Sequence, residues 1–206
     1  MRIYLDFDDT LVGRMTFFHD YYTPILLSSG STQREIDVSY TYFVNNQKLF
    51  SPKEQMEISG WREEKKEEAL FEIENIIRQH RALIFPDVVE VLRSLRSRGH
   101  TLILLTYGQQ DFQKQKIIAS GTAHLFDEII ITHEDKVEII RRDHEGEPIV
   151  FVDDKTDFII RLAEQFPEVQ TFHMCRKGTP VPVCEKGKCP AGHEIESLEE
   201  LLKFIP

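Results

Sequence analysis

The sequence predicts an α/β fold, a doubly wound parallel sheet that carries an inserted α-helical domain. Two observations predict the sheet: short apolar runs typical of buried strands recur along the chain, and amphipathic stretches bounded by helix-start and helix-stop residues lie between them. Such alternation favours a parallel sheet with helices on both faces. A third observation predicts the insertion, because the alternation is interrupted over residues 12–85.

Five apolar runs are predicted to form the strands. The first run covers residues 2–7 and ends in acidic residues, and the others follow much later, at 101–106, 128–132, 148–152 and 169–172. Short apolar runs separated by helical segments are typical of strands buried in a parallel sheet. In a Rossmann-like sheet of this kind the carboxyl ends of the strands meet at one edge, which is where ligands bind.

The interruption is predicted to be a helical cap domain over residues 12–85, with residues 1–11 and 86–206 forming the core domain. This segment is rich in aromatic and charged residues and contains no convincing buried strand. Ser51 and Glu54 have the spacing of a capping box, which marks the start of a helix. The insertion is therefore expected to consist of helices.

Composition and charge narrow the classes of function. The chain has 25 Lys and Arg against 35 Asp and Glu, which gives a formal net charge of -10. Such a surface repels a nucleic-acid backbone, so nucleic acid is not an expected partner. No apolar run approaches the ~20 residues that cross a membrane, and no secretion signal is recognisable. A cytoplasmic protein is expected, and its oligomeric state is not predicted.

An acidic cluster follows the first predicted strand. Asp6, Asp8 and Asp9 stand where the strand ends. Because side chains alternate along a strand, Asp6 and Asp8 are expected to project toward the same side. An Asp-x-Asp pair alone is equally consistent with a solvated turn, since aspartate is common in turns.

Further polar residues stand where the later apolar runs end. Thr106 ends the second run, Lys136 lies just past the third, and Asp153 and Asp154 follow the fourth. Each alone has an ordinary structural interpretation at a strand end or a helix start. At one edge of a parallel sheet, however, these residues bring carboxylates, a hydroxyl and a cation together.

In this order and spacing, these residues resemble the motifs of the haloacid dehalogenase-like (HAD) hydrolase superfamily. The resemblance covers nearly the whole chain, and the insertion resembles the helical cap that follows the first motif in many members. It rests on Asp6-Phe7-Asp8-Asp9-Thr10-Leu11, Thr106-Tyr107-Gly108, Lys136 and Asp153-Asp154.

The resemblance implies a phosphatase, a phosphoric monoester hydrolase that forms an aspartyl-phosphate. Asp6 would be the nucleophile, Asp8 the general acid and base, and Lys136 the cation that neutralises charge. Thr106 would bind a phosphoryl oxygen. The implied substrate-binding residues are Thr106, Tyr107, Gly108 and Lys136.

The same resemblance implies Mg²⁺ as the cofactor and a small phosphorylated metabolite as the substrate. The implied metal ligands are Asp6, the backbone carbonyl of Asp8, and Asp154, with Asp153 or Asp157 assisting. A hard dication with oxygen ligands suits this chemistry, because it offsets the repulsion between an attacking carboxylate and a phosphate dianion.

Several alternatives remain at this point. Asp8 argues against a dehalogenase, because a halide leaving group needs no proton, whereas a phosphomutase shares the chemistry and stays open. A signalling receiver domain is disfavoured, because receivers place their lysine last and Lys136 precedes Asp153. A non-enzymatic phosphate-binding module is disfavoured, because none of the expected catalytic side chains is missing.

Two weaker signals complete the sequence analysis. Cys175, Cys184, Cys189 and His193 are loosely compatible with a tetrahedral zinc site, but three free thiols on a surface loop are the favoured interpretation. In the insertion, seven residues are candidates for contacting the leaving group of the substrate. These are Arg14, His19, Arg34, Asn46, Lys48, Trp61 and Arg62.

Overall fold

The computed structural model describes residues 1–143, 146–177, 189 and 191–206. Six strands of this part form one sheet in the order β3-β2-β1-β4-β5-β6, and all neighbouring strands are parallel. The strand order reverses beside β1, which makes the sheet doubly wound and confirms the predicted fold class. The strands are β1 (Arg2–Leu5), β2 (Thr101–Tyr107), β3 (Glu128–Thr132), β4 (Ile149–Asp153), β5 (Gln170–Met174) and β6 (His193–Ile195).

Strand β1 is buried on both faces, which explains why its sequence is continuously apolar rather than alternating. Ile3 and Leu5 belong to one apolar cluster, and Tyr4 belongs to a second cluster on the opposite face. The first cluster includes side chains of α6, α7 and α10, and the second those of α8 and α9. These helices are α6 (Val88–Ser97), α7 (Gln110–Ser120), α8 (Lys136–Asp143), α9 (Thr156–Gln165) and α10 (Leu198–Leu201).

The segment between β1 and α6 is helical, as predicted, and includes a π-helix at Phe17–Tyr22 and a 3₁₀ turn at His80–Leu83. The start of a helix predicted at Ser51 is confirmed, because Ser51 Oγ accepts the Glu54 backbone N–H. The reciprocal half of the capping box is absent there, since the Glu54 carboxylate pairs with Lys48 instead. The α-helices are α1 (Arg14–Thr16), α2 (Thr23–Ser28), α3 (Gln33–Asn45), α4 (Pro52–Ile58) and α5 (Glu63–Arg78).

The two ends of this helical insertion run side by side. The Gly13 N–H donates to the Leu83 carbonyl at 2.9 Å, and the Phe85 N–H donates to the Leu11 carbonyl at 3.0 Å. The helices between them enclose an apolar cluster of their own. The boundaries at residues 11/12 and 85/86 stay a prediction. No helix in the described part of the chain is long and apolar enough to cross a membrane.

Arg176, just after β5, ties the loop that follows β1 to the rest of the core. Its buried guanidinium donates to the Thr10 carbonyl at 2.8 and 3.0 Å and to Asp87 Oδ2 at 2.7 Å. The guanidinium also lies 4.3 Å from the centroid of the Phe85 ring. Asp87 Oδ2 accepts the Leu198 backbone N–H as well. One buried ion pair therefore joins the acidic loop, the end of the insertion and α10.

Replacing Arg176 by Met should destabilise the protein by about 3 kcal/mol, because Asp87 keeps a buried charge without its counter-ion. The measurement is urea denaturation followed by circular dichroism. Arg161→Met is the matched control, since Arg161 pairs with Asp135 and Asp157 at the surface and should lose less than about 1 kcal/mol. Similar losses in both variants would contradict the structural role given to Arg176.

Candidate active site

The structure gathers the predicted residues at the carboxyl edge of the sheet. Asp6 follows β1, Thr106 lies near the end of β2, and Asp153 is the last residue of β4 with Asp154 directly after it. Lys136 is the first residue of α8 and follows β3. Because β1 lies between β2 and β4, the three strand ends are neighbours, and all five side chains are buried.

Lys136 lies between two carboxylates. Its Nζ is 2.5 Å from Asp6 Oδ1 and 2.7 Å from Asp153 Oδ2. Burial lowers the pKa of Lys136, but the charges of Asp153 and Asp6 and their hydrogen bonds outweigh burial and raise the pKa above its ordinary value. Lys136 is therefore a fixed cation at neutral pH.

Asp6 experiences the opposite balance. Burial is the largest influence and raises the pKa of Asp6 well above its ordinary value, and the carboxylates of Asp153 and Asp154 raise it further. The Lys136 ammonium acts against this shift without cancelling it. An additional positive charge beside Asp6 would therefore favour its ionised, nucleophilic form.

The carboxylates fit a divalent cation. One oxygen each of Asp6, Asp153 and Asp154 lies within 4.8 Å of the others. Asp154 Oδ2 is buried and accepts no hydrogen bond from the described residues; Lys155 Nζ lies 3.4 Å from it in a long ion pair. Burial, together with the charge of Asp153, raises the pKa of Asp154 to about 7 against the opposing effect of Lys155. A set of carboxylate oxygens in which one oxygen accepts no hydrogen bond is suited to Mg²⁺.

The two acids at the end of β4 differ in their availability to a metal. Asp153 Oδ2 accepts from Lys136, and Asp153 Oδ1 accepts the Lys155 backbone N–H at 2.8 Å. Asp157 is exposed and pairs with Arg161. Of the three acids implied by the sequence, Asp154 therefore has the geometry of a direct ligand, and Asp153 that of a residue that orients Lys136.

Asp8 faces a different cation. Lys116 Nζ, on α7, is 2.6 Å from both carboxylate oxygens, and Gln113 Nε2 is 2.9 Å from Asp8 Oδ2. The same amide donates to Thr106 Oγ1 at 3.0 Å and to the Tyr107 carbonyl at 3.2 Å. Sequence analysis missed Lys116 and Gln113, although their i, i+3 spacing on a helix after the second strand places them on one face.

The contacts of Asp8 determine its protonation state. Burial raises the pKa of Asp8, but the charge and hydrogen bond of Lys116 outweigh burial and lower the pKa to about 2. Asp8 is therefore a carboxylate in this arrangement, able to accept a proton. To donate one, Asp8 must first separate from Lys116.

Asp9 shapes the loop after β1. Its backbone has φ of 57°, in the left-handed region that aspartate tolerates better than most residues. Its buried carboxylate accepts from Arg14 Nε at 2.8 Å and from the Met15 N–H at 3.0 Å. The turn at Asp9 thus holds the start of the insertion against the acidic loop.

A cavity of about 210 Å³ opens beside Asp8. Of the seven insertion residues named as candidates, each of which is more often expected to be a solvated or packed surface residue, Arg14 and Lys48 line the cavity and the other five do not. Gly108 also lines it, and a Cβ there would lie 2.7 Å from the Gln113 side chain, so glycine leaves room for that amide. The remaining lining residues are Asp8, Phe18, Tyr40, Phe43, Val44, Leu49, Phe50, Tyr107, Gln109, Phe112, Gln113 and Lys116.

The cysteines depart from the prediction of three free surface thiols. Cys175 is buried after β5 and is disulfide-bonded, so the prediction is wrong for this residue, whereas Cys189 is free. Cys184 lies outside the described residues. The His193 ring packs against the rings of Phe172 and Phe204, and in the described part of the chain it does not join Cys175 and Cys189 in a metal-binding group.

Comparison with solved structures supports the fold over nearly the whole chain. A haloacid dehalogenase-like hydrolase from Burkholderia xenovorans superposes with a TM-score of 0.76 at 16% identity, covering 99% of this chain and 95% of that one. A β-phosphoglucomutase from Thermotoga maritima gives 0.67 at 16% identity, with coverage of 100% and 99%. A phosphatase from Clostridium difficile gives 0.63 at 15% identity, with coverage of 100% and 98%.

No match was found among curated protein sequences. The family model of the haloacid dehalogenase-like hydrolases matches residues 3–139, which is more than half of the chain. The match includes the acidic loop, Thr106 and Lys136, and the sheet continues the same fold beyond it. This chain belongs to the haloacid dehalogenase-like hydrolase family.

Proposed function

We propose that this hydrolase is a magnesium-dependent phosphatase that acts on small phosphate monoesters through an aspartyl-phosphate on Asp6. The observation that supports the proposal most directly is the contact of buried Asp6 with Lys136 beside Asp154, whose buried Oδ2 accepts no hydrogen bond from the described residues. This arrangement offers a nucleophile, a fixed cation and a place for a second positive charge.

The charges at this site match the electrostatic demand of phosphoryl transfer. A carboxylate and a phosphate dianion about 4 Å apart repel by roughly 1 kcal/mol per charge pair in water and several times more near a protein. Lys136 offsets part of this repulsion. Mg²⁺, held by Asp6, Asp154 and the backbone carbonyl of Asp8, would supply the remaining positive charge and polarise the phosphoryl group.

The reaction has two steps. In the first, an Asp6 oxygen bonds to phosphorus as the bond to the leaving oxygen breaks. Asp8, which has separated from Lys116 and taken up a proton from solvent, transfers that proton to the leaving oxygen. In the second, Asp8 takes a proton from water, whose oxygen attacks phosphorus and releases Asp6 and inorganic phosphate. Thr106 donates its hydroxyl to a phosphoryl oxygen.

A phosphomutase is the second candidate, because it uses the same aspartyl-phosphate and one similar structure is a β-phosphoglucomutase. The two differ in what accepts the phosphoryl group: water releases inorganic phosphate, whereas a sugar hydroxyl retains it. Cytoplasmic location and a small phosphorylated metabolite as the partner stay predictions. The disulfide at Cys175 does not support a cytoplasmic location, since disulfides are rare there.

Variants of the two leading carboxylates test the reaction. Asp6→Asn should form no phosphoenzyme and release no phosphate. Asp8→Asn should accumulate phosphoenzyme with an activated phenyl phosphate, because its first step needs little proton transfer whereas its second step lacks a base. Intact-protein mass after rapid quenching measures the adduct. A phosphoryl adduct on the Asp6→Asn protein would place the nucleophile elsewhere, and phosphate retained on an added sugar would favour the mutase.

Asp154→Asn tests the metal site through stability. Because the folded-state pKa of Asp154 is raised to about 7, wild-type stability without metal should fall as pH rises from ~4 to ~7. The variant lacks this charge, so without metal it should melt higher than wild type at about pH 8, with a smaller difference at about pH 5. Added Mg²⁺ should raise the melting temperature of wild type but not of the variant. Asp157→Asn, an exposed control, should behave as wild type.

Lys116→Met tests the role of the cation beside Asp8. Without that ammonium the pKa of Asp8 should rise, because burial then dominates. The acid limb of the dephosphorylation rate should therefore move to higher pH, since Asp8 must be ionised to accept a proton from water. Single-turnover decay of the phosphoenzyme across pH measures this shift. Lys114→Met, on the exposed side of α7, is the control, and an unmoved acid limb in Lys116→Met would refute the assignment.

A further inference from the structure

We infer that the cavity beside Asp8 is the leaving-group pocket and that it selects phosphate esters whose alcohol carries one planar aromatic ring. The inference rests on the proposed phosphatase activity and goes beyond it by naming a substrate class. It follows from the position of the cavity, the chemistry of its walls and its size.

The position of the cavity identifies the part of the substrate that it receives. Asp8, Tyr107 and Gly108 line the cavity where it meets the edge of the sheet, whereas Asp6, Lys136 and the acids after β4 do not line it. In the proposed in-line transfer, the attacking and leaving oxygens lie on opposite sides of phosphorus, so the proton donor Asp8 would lie opposite the nucleophile Asp6. A group bound in the cavity lies on the side of Asp8, which is the side of the leaving oxygen.

Six of the fifteen residues that line the cavity are aromatic. The Phe50 ring is 5.2 Å from Phe18, 5.8 Å from Tyr40, 5.4 Å from Phe43 and 5.9 Å from Phe112, measured between centroids. Three of these four pairs are edge-to-face, a geometry that aromatic rings prefer, and the pair with Tyr40 is tilted. A planar ring in the cavity would extend this cluster.

Part of this aromatic group borders open space. Tyr40 is 38% exposed, whereas Phe43 is buried, and Phe18, Phe50 and Phe112 are partly buried against the apolar cluster of the insertion. Concave apolar walls with a few polar groups are characteristic of ligand sites. The π-helix Phe17–Tyr22 is a rare element that is frequent at functional sites, and it supplies Phe18 to this wall.

The volume of the cavity is enough for about one ring with its substituents. An apolar cavity of about 150 Å³ accommodates benzene, and this one measures about 210 Å³. Lys48 lines the cavity, and its ammonium pairs with the Glu54 carboxylate at 2.8 Å in a partly exposed ion pair. Such a pair is weak, so Lys48 can turn to an acceptor on the ring. Arg14 and Lys116 are held by the carboxylates of Asp9 and Asp8.

The test compares benzyl phosphate with cyclohexylmethyl phosphate. Both are esters of primary alcohols of similar size, so the chemistry of the leaving oxygen is matched and the flat ring is the difference. Benzyl phosphate should have the higher kcat/KM by about tenfold, the gain expected from one favourable aromatic contact. Equal kcat/KM values, or a preference for the cyclohexyl ester, would overturn the pocket assignment while leaving the phosphatase proposal intact.

A pair of variants assigns the preference to the cavity. Phe50→Leu removes the central ring and should reduce the preference for benzyl phosphate to about twofold or less. Phe71→Leu is the matched control, because Phe71 is 62% exposed on α5, does not line the cavity, and should keep the full preference. A preference unchanged in a folded Phe50→Leu protein would overturn the assignment. Should that variant not fold, Tyr40→Leu makes the same test.

A binding measurement separates failure of this inference from failure of the proposed function. Calorimetry of both esters with the Asp6→Asn protein and Mg²⁺ reports on the pocket without turnover. If wild type hydrolyses neither ester, the phosphatase proposal fails, but tighter binding of benzyl phosphate still supports the pocket. Equal binding of the two esters, with or without hydrolysis, refutes the pocket.

Discussion

The contact of Lys136 with Asp6 and Asp153 is the interaction on which the rest of the site depends. Carboxylates buried together repel one another, and each loses hydration that only a partner can replace. Lys136 allows Asp6 and Asp153 to share one edge of the sheet while keeping Asp6 near Asp154, the proposed metal ligand. Breaking a buried ion pair is costly because it leaves an unpaired charge. Burying these three charged groups together therefore costs folding stability, as is common at catalytic sites.

A second lysine, Lys116, gives Asp8 an environment that differs from that of Asp6. Asp6 and Asp8 stand two residues apart, yet burial and carboxylate neighbours raise the pKa of Asp6, whereas Lys116 lowers that of Asp8. Pairs of acids whose pKa values are pushed apart are a recurrent device for giving similar groups different roles. Here an added cation must favour ionisation of Asp6, and Lys116 must leave Asp8 before Asp8 can act as an acid.

The carboxyl ends of parallel strands meet at one edge of the sheet, and this explains which site residues could be predicted from the sequence. Asp6, Thr106, Lys136 and Asp153 each follow an apolar run, and strand order alone brings such positions to one edge. The sequence left open whether Asp153, Asp154 or Asp157 is the direct metal ligand. The assignment to Asp154 stays a proposal, favoured by the contacts of Asp153 with Lys136 and with the Lys155 N–H. Strand β6, the buried position of Cys175, and the partners of Asp8 were missed because they are products of tertiary packing. The alternation along the first strand predicted the same side for Asp6 and Asp8, but it could not predict that each contacts a lysine from a different helix.

Helix α7 contributes residues both to the candidate active site and to the lining of the cavity beside Asp8. Phe112 faces the aromatic cavity, and Gln113 and Lys116 on the same helix hold Asp8. A ligand that moves the Phe112 ring acts on the backbone that carries both partners of Asp8. Asp6 and Lys136 belong to other elements and keep their contact. We therefore expect the fit of the leaving group to influence protonation of the leaving oxygen more than attack by Asp6, so that selection and proton transfer are coupled through one helix.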